Sequence, residues 1–377
     1  MSPPAHRLMM TTDTVGGVWV YATTLARELT RRGFGVTLVT QGPPPRSDQL
    51  APLRDVPGLD LEITDLKLEW MDPAGDDMPR ALDRLRDIER RIRPDLVHLN
   101  SYREARGDWS VPVIVAAHSC VRSWWRACRG DDPTEPQWQR YAANVAAGLL
   151  AANMWIAPSA TQRSAVKALY APPTPGRVIW NGLERFPRPA PKEPFVVAAG
   201  RMWDEAKNLS LLAAIAPDLE WPVRVAGKVA PDAPRDVPNL EALGELPRAD
   251  LLELLRSAAI FIAPALYEPF GLTVLEAAAG GCALVLGDIP SFRELWDGAA
   301  LFVDPRDGTA VRSALTQLIQ NAAMRKDLQR RAALRARRYS LSKMIEAYQG
   351  AYITLMKTSA PPVEAQAASF PPLEAHA

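Results

Sequence analysis

The sequence predicts an α/β protein that is built from two doubly wound domains in tandem. Short runs rich in Val and Ile alternate with amphipathic segments of helical period, which is typical of parallel sheets covered by helices on both faces. A segment with four prolines, at 185–194, interrupts this alternation, which then starts again. The 377 residues are enough for two domains, each with its own core.

The first half begins with an apolar run at 7–10, which predicts a strand. A loop with Gly16 and Gly17 leads from this strand into a helix, in which apolar residues recur at helical spacing until Gly33 marks the end. The following apolar runs predict the remaining strands of this half, at 36–40, 95–99, 112–118, 154–159 and 177–180.

The second half repeats the pattern and closes with a helix. Its strands are predicted at 195–200, 223–227, 260–264, 283–287 and 300–303. A low-complexity end rich in Ala and Pro predicts a disordered tail. The predicted boundaries are a first domain at 1–184, a linker at 185–194, a second domain at 195–340, a last helix at 341–357 and the tail at 358–377.

Charge and cysteine content narrow the classes of function. The 44 Lys and Arg residues balance 43 Asp and Glu residues, so the whole-chain charge does not indicate a nucleic-acid partner. Three cysteines without a CxxC pattern fit neither a disulfide scaffold nor a zinc site. The start of the sequence lacks the apolar core of a signal peptide, and no apolar run is long enough to span a membrane. We expect a soluble cytoplasmic protein, and peripheral contact with the inner face of a membrane is compatible with this composition.

Polar residues follow several of the predicted strands. Ligands of open parallel sheets bind at the carboxyl ends of the strands, close to helix N-termini. The sequence therefore predicts a site that is shared by the two domains. Its candidate residues by strand end are Gly16 and Gly17, then His118, then Arg201 and Lys207, then Glu268, Gly271, Thr273 and Glu276, and finally Asp288.

Each of the first candidates has a functional and a purely structural interpretation. The two glycines let a phosphate or a sugar approach backbone N–H groups, or they simply form a tight turn. Their surroundings match neither GxGxxG nor a Walker A loop, which disfavours a dinucleotide dehydrogenase. Arg201 and Lys207 either clamp a diphosphate or are two solvated cations. His118, as a lone histidine, is more often a structural hydrogen-bond partner.

Glu268 and Glu276 flank a Pro-Phe-Gly turn at the start of a predicted helix. Carboxylates accept hydrogen bonds from adjacent hydroxyl groups of sugars, and the N–H groups at the start of this helix would hold a phosphate. In the structural alternative, Glu276 forms a capping box with Thr273 and binds no ligand. Two carboxylates, two cations and a helix N-terminus together fit a molecule with two sugars bridged by a diphosphate.

The motifs GRMWDEAKNL (200–209) and LYEPFGLTVLEAAAGG (266–281) resemble the carboxyl-terminal domain of glycosyltransferase family 4, whose members are retaining enzymes with the GT-B fold. The seven residues between Glu268 and Glu276 match the E-x7-E signature of that family. Weaker similarity extends over about residues 7–357. The resemblance implies two Rossmann-like domains that face each other across a cleft, with a C-terminal helix that crosses back to the N-terminal domain.

The resemblance also implies a reaction. A sugar would be transferred with retention from a nucleotide-sugar donor, UDP-linked first and GDP-linked next, to a hydroxyl of a glycan, a lipid-linked acceptor or a small molecule. The N-terminal domain would bind the acceptor and the C-terminal domain the donor. No metal or other cofactor is expected, because no paired acidic motif stands at a strand end.

The family's site residues can be placed on this sequence by position. The catalytic set would be His118, Arg201, Lys207 and Glu268. Arg201 and Lys207 would neutralise the donor diphosphate, Glu276 would bind the ribose, and Glu268 and His118 would contact the donor sugar. Further donor contacts would come from Gly16, Gly17 and the backbone of Gly271, Leu272 and Thr273.

Two stretches depart from the family pattern. Cys282-Ala283 stands where x-Pro is usual, and HSCVRSWWRACRG (118–130) carries an uncommon pair of tryptophans. Trp124 and Trp125, together with Asp13, are expected to line the acceptor pocket. The alternatives are a packed loop with snorkelling arginines and contact with a membrane surface.

Other functions remain open from the sequence. A sugar-nucleotide epimerase or a phosphorylase of similar fold would use the same donor residues. A catalytically silent subunit that binds a sugar nucleotide is the alternative outside enzymes. The linker and the crossover before the last helix are the predicted hinges, and we expect an open form without ligand.

Overall fold

The computed structural model describes residues 6–184, 190–228 and 236–358. It contains two parallel sheets that follow each other along the chain, as the sequence predicts. Half of the predicted linker (185–189) and nearly all of the predicted tail (359–377) lie outside the described residues. The second sheet begins at Glu193, inside the predicted linker.

The first sheet has seven strands in the order β3-β2-β1-β4-β5-β6-β7. All of its strand pairs are parallel. Its strands are β1 (His6–Asp13), β2 (Phe34–Gln41), β3 (Leu59–Glu62), β4 (Leu96–Leu99), β5 (Val113–Ala116), β6 (Met154–Ala157) and β7 (Arg177–Val178). Its helices are α1 (Gly17–Arg31), α2 (Ser47–Leu50), α3 (Met78–Ile92), α4 (Val121–Arg129), α5 (Pro136–Ala151) and α6 (Ala160–Tyr170).

The second sheet has six strands in the order β10-β9-β8-β11-β12-β13, also parallel. Its strands are β8 (Glu193–Ala199), β9 (Val223–Ala226), β10 (Leu240–Gly244), β11 (Ala258–Ala263), β12 (Ala283–Gly287) and β13 (Leu301–Val303). Its helices are α7 (Ser210–Ile215), α8 (Arg248–Ser257), α9 (Leu272–Ala279), α10 (Pro290–Trp296), α11 (Gly308–Gln320) and α12 (Ala322–Ala336).

Side chains on both faces of each sheet are buried, which explains the continuous apolar runs. In β1, Leu8 and Met10 pack toward α1 on one face, whereas Met9 packs toward α3 on the other. The second sheet likewise separates two apolar clusters. Burial on both faces is what a doubly wound sheet requires, so the predicted fold class is confirmed.

The last helix, α13 (Leu341–Thr358), crosses back and packs on the first sheet. The Tyr352 hydroxyl lies 2.7 Å from Nδ1 of His98, a fully buried residue of β4. Gly182 is packed against the backbone of Ser340 and Leu341 at the crossover, where a Cβ would overlap with both. The predicted return of the C-terminal helix to the N-terminal domain is therefore confirmed.

The two domains touch along their facing edges, whereas the sequence suggested an open form. Ser159 donates a hydrogen bond of 2.7 Å to the Pro269 carbonyl, and the Ser123 and Tyr267 hydroxyls lie 2.7 Å apart. These pairs join residues more than 100 positions apart, so sequence patterns carry no signal for them. None of the helices within the described ranges combines the length and apolarity needed to span a bilayer.

Candidate functional site

The loop after β1 brings the first domain into contact with the second. Gly16 has φ = 97°, which favours glycine, and a Cβ there would stand only 2.8 Å from Nη1 of Arg201. A Cβ on Gly17 would lie 3.6 Å from a methyl group of Leu272. The predicted glycine pair therefore faces the predicted donor residues across the domain boundary.

Arg201 follows β8 and points into this boundary. One end of its guanidinium, Nη2, donates to Oδ2 of Asp204 at 2.6 Å. Its Nε is buried, and no hydrogen-bond acceptor for it exists among the described residues. A buried donor without an acceptor is costly, so this nitrogen is available for an anionic ligand.

Lys207 and Glu268 meet in the same place. Nζ of Lys207 lies 2.5 Å from Oε2 of Glu268, and Oε1 of Glu268 accepts from the backbone N–H of Gly271 at 3.0 Å. The cation and the carboxylate thus satisfy each other. A phosphate that binds Lys207 would release Glu268 to accept from a sugar hydroxyl.

Glu276 is not part of a capping box. The N-cap of α9 is Gly271, without a side-chain cap, and Thr273 already lies in the first turn. The N–H groups of Leu272 and Thr273 therefore have no acceptor within the helix. Glu276 is 3% exposed and pairs through Oε1 with Arg248 at the start of α8. Within the described ranges its buried Oε2 has no partner, which leaves it for ligand hydroxyls.

His118 follows β5 and has a defined tautomer. Nδ2 of Asn100 donates to the Thr11 carbonyl at 2.6 Å, so Oδ1 of Asn100 must accept from Nε2 of His118 at 2.8 Å. Burial lowers the pKa of His118 to about 4, and the ring is neutral at pH 7. The imidazole therefore carries its proton on Nε2 and offers Nδ1 as an acceptor.

Asp13 ends β1 close to the same boundary. Its Oδ1 accepts from the backbone N–H of Val15 at 3.0 Å. Burial raises the pKa of the Asp13 carboxyl to about 7, against the lowering effects of that hydrogen bond and of Arg201. Asp13 is thus a carboxyl group that exchanges a proton near neutral pH.

The two predicted acceptor tryptophans lie on α4, which packs against the second domain. Nε1 of Trp124 donates to Oδ1 of Asp204 at 3.0 Å. The guanidinium of Arg129 lies 4.3 Å from the ring centre of Trp125 and 5.3 Å from that of Trp124. This agrees best with the packed alternative for the segment, and acceptor contact by these rings stays a prediction.

For three further residues, the structure differs from the sequence prediction. Arg248 was not predicted, because the edge strand β10 that precedes it gave no strand signal. Asn100 was not predicted either, because a polar residue after a strand is common. Asp288 was predicted at the site, but both of its carboxylate oxygens bind Arg293 at 2.6 and 2.7 Å. Over the described part of the chain, no three His, Cys, Asp or Glu side chains gather closely enough to hold a metal ion.

Both halves of the chain match family models of glycosyltransferases. The model for Glycosyltransferase Family 4 matches residues 15–185, and the model for Glycosyl transferases group 1 matches residues 193–321. O-antigen chain mannosyltransferase B of Escherichia coli is 34% identical over 98 residues, 26% of this chain and 26% of that protein. The match therefore spans only about a quarter of the mannosyltransferase. Alpha-maltose-1-phosphate synthase of Mycolicibacterium smegmatis is 27% identical over 290 residues, 65% of this chain and 71% of that protein.

Solved structures share the whole architecture at low sequence identity. A sucrose-phosphate synthase from Thermosynechococcus elongatus superposes with a TM-score of 0.77 at 16% identity, over 94% of this chain and 100% of that one. HepE from Anabaena, solved with UDP and glucose, gives a TM-score of 0.74 at 13% identity, over 93% of this chain and 100% of that one. With both halves matched and this arrangement of two facing doubly wound domains, the chain belongs to glycosyltransferase family 4 and has the GT-B fold.

Proposed function

We propose that the chain is a retaining glycosyltransferase that takes its sugar from a nucleoside diphosphate sugar. The observation that carries the proposal is the gathering of two cations and two carboxylates at one edge of the second sheet, opposite the Gly16 loop. UDP is the favoured nucleotide and GDP the next. HepE, of the same fold, was solved with UDP and glucose, which supports this order for a protein of this family.

The donor would lie along the carboxyl edge of the second sheet. Arg201, Lys207 and the first turn of α9 would hold the diphosphate, because guanidinium, ammonium and helix N–H groups all favour anions. Glu276 would accept from the ribose hydroxyls through Oε2. On the other side of the diphosphate, Glu268 and Nδ1 of His118 would accept from hydroxyls of the sugar.

Bond cleavage leaves a nucleoside diphosphate anion and a cation-like sugar. Arg201 and Lys207 would stabilise the charge that grows on the departing phosphate oxygen. In a front-face route, the acceptor oxygen forms the new bond on the side that the phosphate leaves. The departing phosphate oxygen then takes the acceptor proton, so that no protein base is required and configuration is retained.

We propose that this chemistry needs no metal ion. The positive charge at the diphosphate would come from Arg201, Lys207 and the dipole of α9. The acceptor is a hydroxyl-bearing molecule such as a glycan, a lipid-linked sugar or a small molecule, bound by the first domain near Asp13. Cys120, Cys128 and Cys282 are all unpaired, which suits the reducing cytoplasm that we propose as the location.

A panel of sugar nucleotides tests the donor assignment. Thermal unfolding is measured with UDP-, GDP- and ADP-linked hexoses, each with and without EDTA. We expect one nucleotide class to raise the unfolding temperature, and the shift to persist in EDTA. Release of free nucleoside diphosphate only in the presence of an acceptor separates transfer from an epimerase. No shift with any sugar nucleotide would contradict the proposal.

Lys207→Ala tests the proposed charge stabilisation. Because the contact strengthens as the phosphate departs, the variant should lose turnover by about 100- to 1000-fold while the donor KM changes far less. Lys326→Ala, at an exposed position on α12 of the same domain, is the matched control and should keep wild-type turnover. Near-full turnover in Lys207→Ala would remove Lys207 from the mechanism.

A further inference from the structure

Trp124 belongs to the first domain, but its indole N–H donates a hydrogen bond to a residue of the second domain. The indole Nε1–H donates to Oδ1 of Asp204 at 3.0 Å. Asp204 lies in the loop after β8, between Arg201 and Lys207, and its side chain is only 5% exposed. No sequence pattern pairs these two residues, which are 80 positions apart.

The two carboxylate oxygens of Asp204 accept hydrogen bonds from different groups. Oδ2 receives Nη2 of Arg201 at 2.6 Å. Oδ1 receives the Trp124 indole and the backbone N–H of Ala206, at 3.0 and 3.1 Å. Burial alone would raise the pKa of Asp204, but the charge of Arg201 and the Trp124 hydrogen bond outweigh it, so the pKa is lowered. The group is a carboxylate at neutral pH.

Arg201 is held by this carboxylate at one end only. Nη2 binds Asp204, Nη1 faces Gly16 of the first domain, and the buried Nε has no acceptor among the described residues. The contact with Asp204 therefore fixes the orientation of the remaining N–H donors of the guanidinium. A guanidinium binds phosphate well only when its planar fork is held in one orientation.

We propose that Trp124 is a positioning residue for Arg201: through Asp204, the first domain completes the diphosphate site of the second. This inference rests on the proposed function, because it assigns a diphosphate to Arg201. The anion site is then complete only while the two domains touch. Donor binding and domain contact are thus coupled, because each stabilises the arrangement that the other needs.

Arg129 fixes the ring that makes this contact. Its guanidinium covers both Trp124 and Trp125, and its Nε lies 3.3 Å from a carboxylate oxygen of Glu205, the residue after Asp204. One cation thus binds the aromatic pair of the first domain to the Arg201 loop of the second. The contact is cation–π on one side and ionic on the other.

A double-mutant cycle with UDP as the probe tests the inference. UDP affinity is measured by calorimetry for wild type, Trp124→Phe, Arg201→Ala and the double variant. Trp124→Phe keeps an aromatic side chain, although a smaller one, and removes the indole N–H donor, and we expect UDP binding about 5- to 10-fold weaker. In the Arg201→Ala background the same change should alter affinity by less than about twofold, because Trp124 acts through Arg201.

Two further variants keep the test decisive. Trp109→Phe removes a comparable indole hydrogen bond, to the Glu104 carbonyl at 2.9 Å, and should leave UDP affinity unchanged. Arg129→Ala, at a half-exposed position, should weaken UDP binding about two- to threefold in wild type and not in Arg201→Ala. This second variant covers the case in which Trp124→Phe does not fold.

The outcomes separate the inference from the proposed function. Wild-type UDP affinity in both Trp124→Phe and Arg129→Ala, with weak binding in Arg201→Ala, overturns the positioning role alone. Equal losses with and without Arg201 also overturn it, because Trp124 would then act independently. Absence of UDP binding in wild type, or equal binding in wild type and Arg201→Ala, overturns the proposed donor site and the inference with it.

Discussion

His118 shows how one unpredicted neighbour determines the chemistry of a predicted residue. The strand-end position of His118 was visible in the sequence, but Asn100, which fixes its tautomer, was not. The orientation of Asn100 follows from its own bond to the Thr11 carbonyl. An unprotonated ring nitrogen of His118 can accept a hydrogen bond from a sugar hydroxyl, whereas a protonated ring nitrogen cannot.

We predict that wild-type His118 exists as the Nε2–H tautomer at pH 7. The chain has only four histidines, so long-range proton–nitrogen NMR spectra can resolve the ring nitrogens of each. In Asn100→Ala the constraint is lost, and we expect shifts that are averaged between the two tautomers. An Nδ1–H signal for His118 in wild type would contradict the assignment.

Glu276 illustrates a choice that the sequence left open. The spacing from Thr273 fitted a capping box and a ligand carboxylate equally well. The structure excludes the first, since the N-cap is Gly271, with φ = 84°, two residues before the N-cap that this box needs. The contact of Glu276 with Arg248 depends on β10, and no periodic signal marks that strand because it is short and two of its five positions are polar or glycine.

At the scale of elements, the buried strands were predictable, whereas one edge strand of each sheet was not. All predicted strands are present, and in the central strands burial on both faces explains the continuous apolar runs. β3 and β10 were missed: they are the first strands in the order of their sheets, and they carry Asp60 and Glu241 at exposed positions. Such strands lack the apolar pattern on which sequence reasoning relies.

The N-terminus of α6 is capped by its own Ser159, which accepts from the Gln162 N–H, and in addition by a residue of the other domain. Its first two N–H groups, from Ala160 and Thr161, donate to the carboxylate of Glu294 on α10 at 2.8 and 2.7 Å. The Thr161 hydroxyl donates to the same carboxylate at 2.7 Å. The helix dipole adds to this attraction, so Glu294 joins the two domains at a point beside the Glu268 turn.

We predict that Glu294→Ala separates the domains at this point. The loss of the cap should cost about 0.5–2 kcal/mol of local stability, and amide hydrogens at the start of α6 should exchange faster. Small-angle scattering should give a larger radius of gyration. Asp307→Ala is the matched control, because Asp307 caps α11 within one domain with bonds of 2.9 and 3.0 Å. An equal increase in radius for both variants would contradict an interdomain role.

For the whole molecule, the sequence predicted the architecture but not the relation of its halves. Two sheets, their order along the chain and the returning helix all follow from local patterns or from family resemblance. The contacts between the domains depend on single pairs such as Trp124 with Asp204 and Ser159 with Pro269. Each pair gains its energy only after both domains have folded, and therefore leaves no periodic trace in either segment.

The returning helix also buries a histidine that affects the stability of the whole chain. His98 is enclosed by Tyr21 from α1 and by Tyr348 and Tyr352 from α13. Its ring stacks on Tyr348, and its Nδ1 binds the Tyr352 hydroxyl. Burial, and next the neighbouring His118, lower the pKa of His98 to about 3 from an ordinary value of 6.5.

We predict that His98 makes the folded chain less stable as the pH falls from 6.5 toward 3. Below pH 6.5 the unfolded chain binds a proton at this residue, whereas the folded chain does not until about pH 3. The free energy of unfolding of wild type, relative to His98→Asn, should therefore fall by up to about 1.4 kcal/mol per pH unit between pH 6 and 4. Urea unfolding at several pH values measures this difference. A difference independent of pH would mean that His98 takes up its proton in the folded chain as easily as in the unfolded one, which its enclosure between α1 and α13 does not allow.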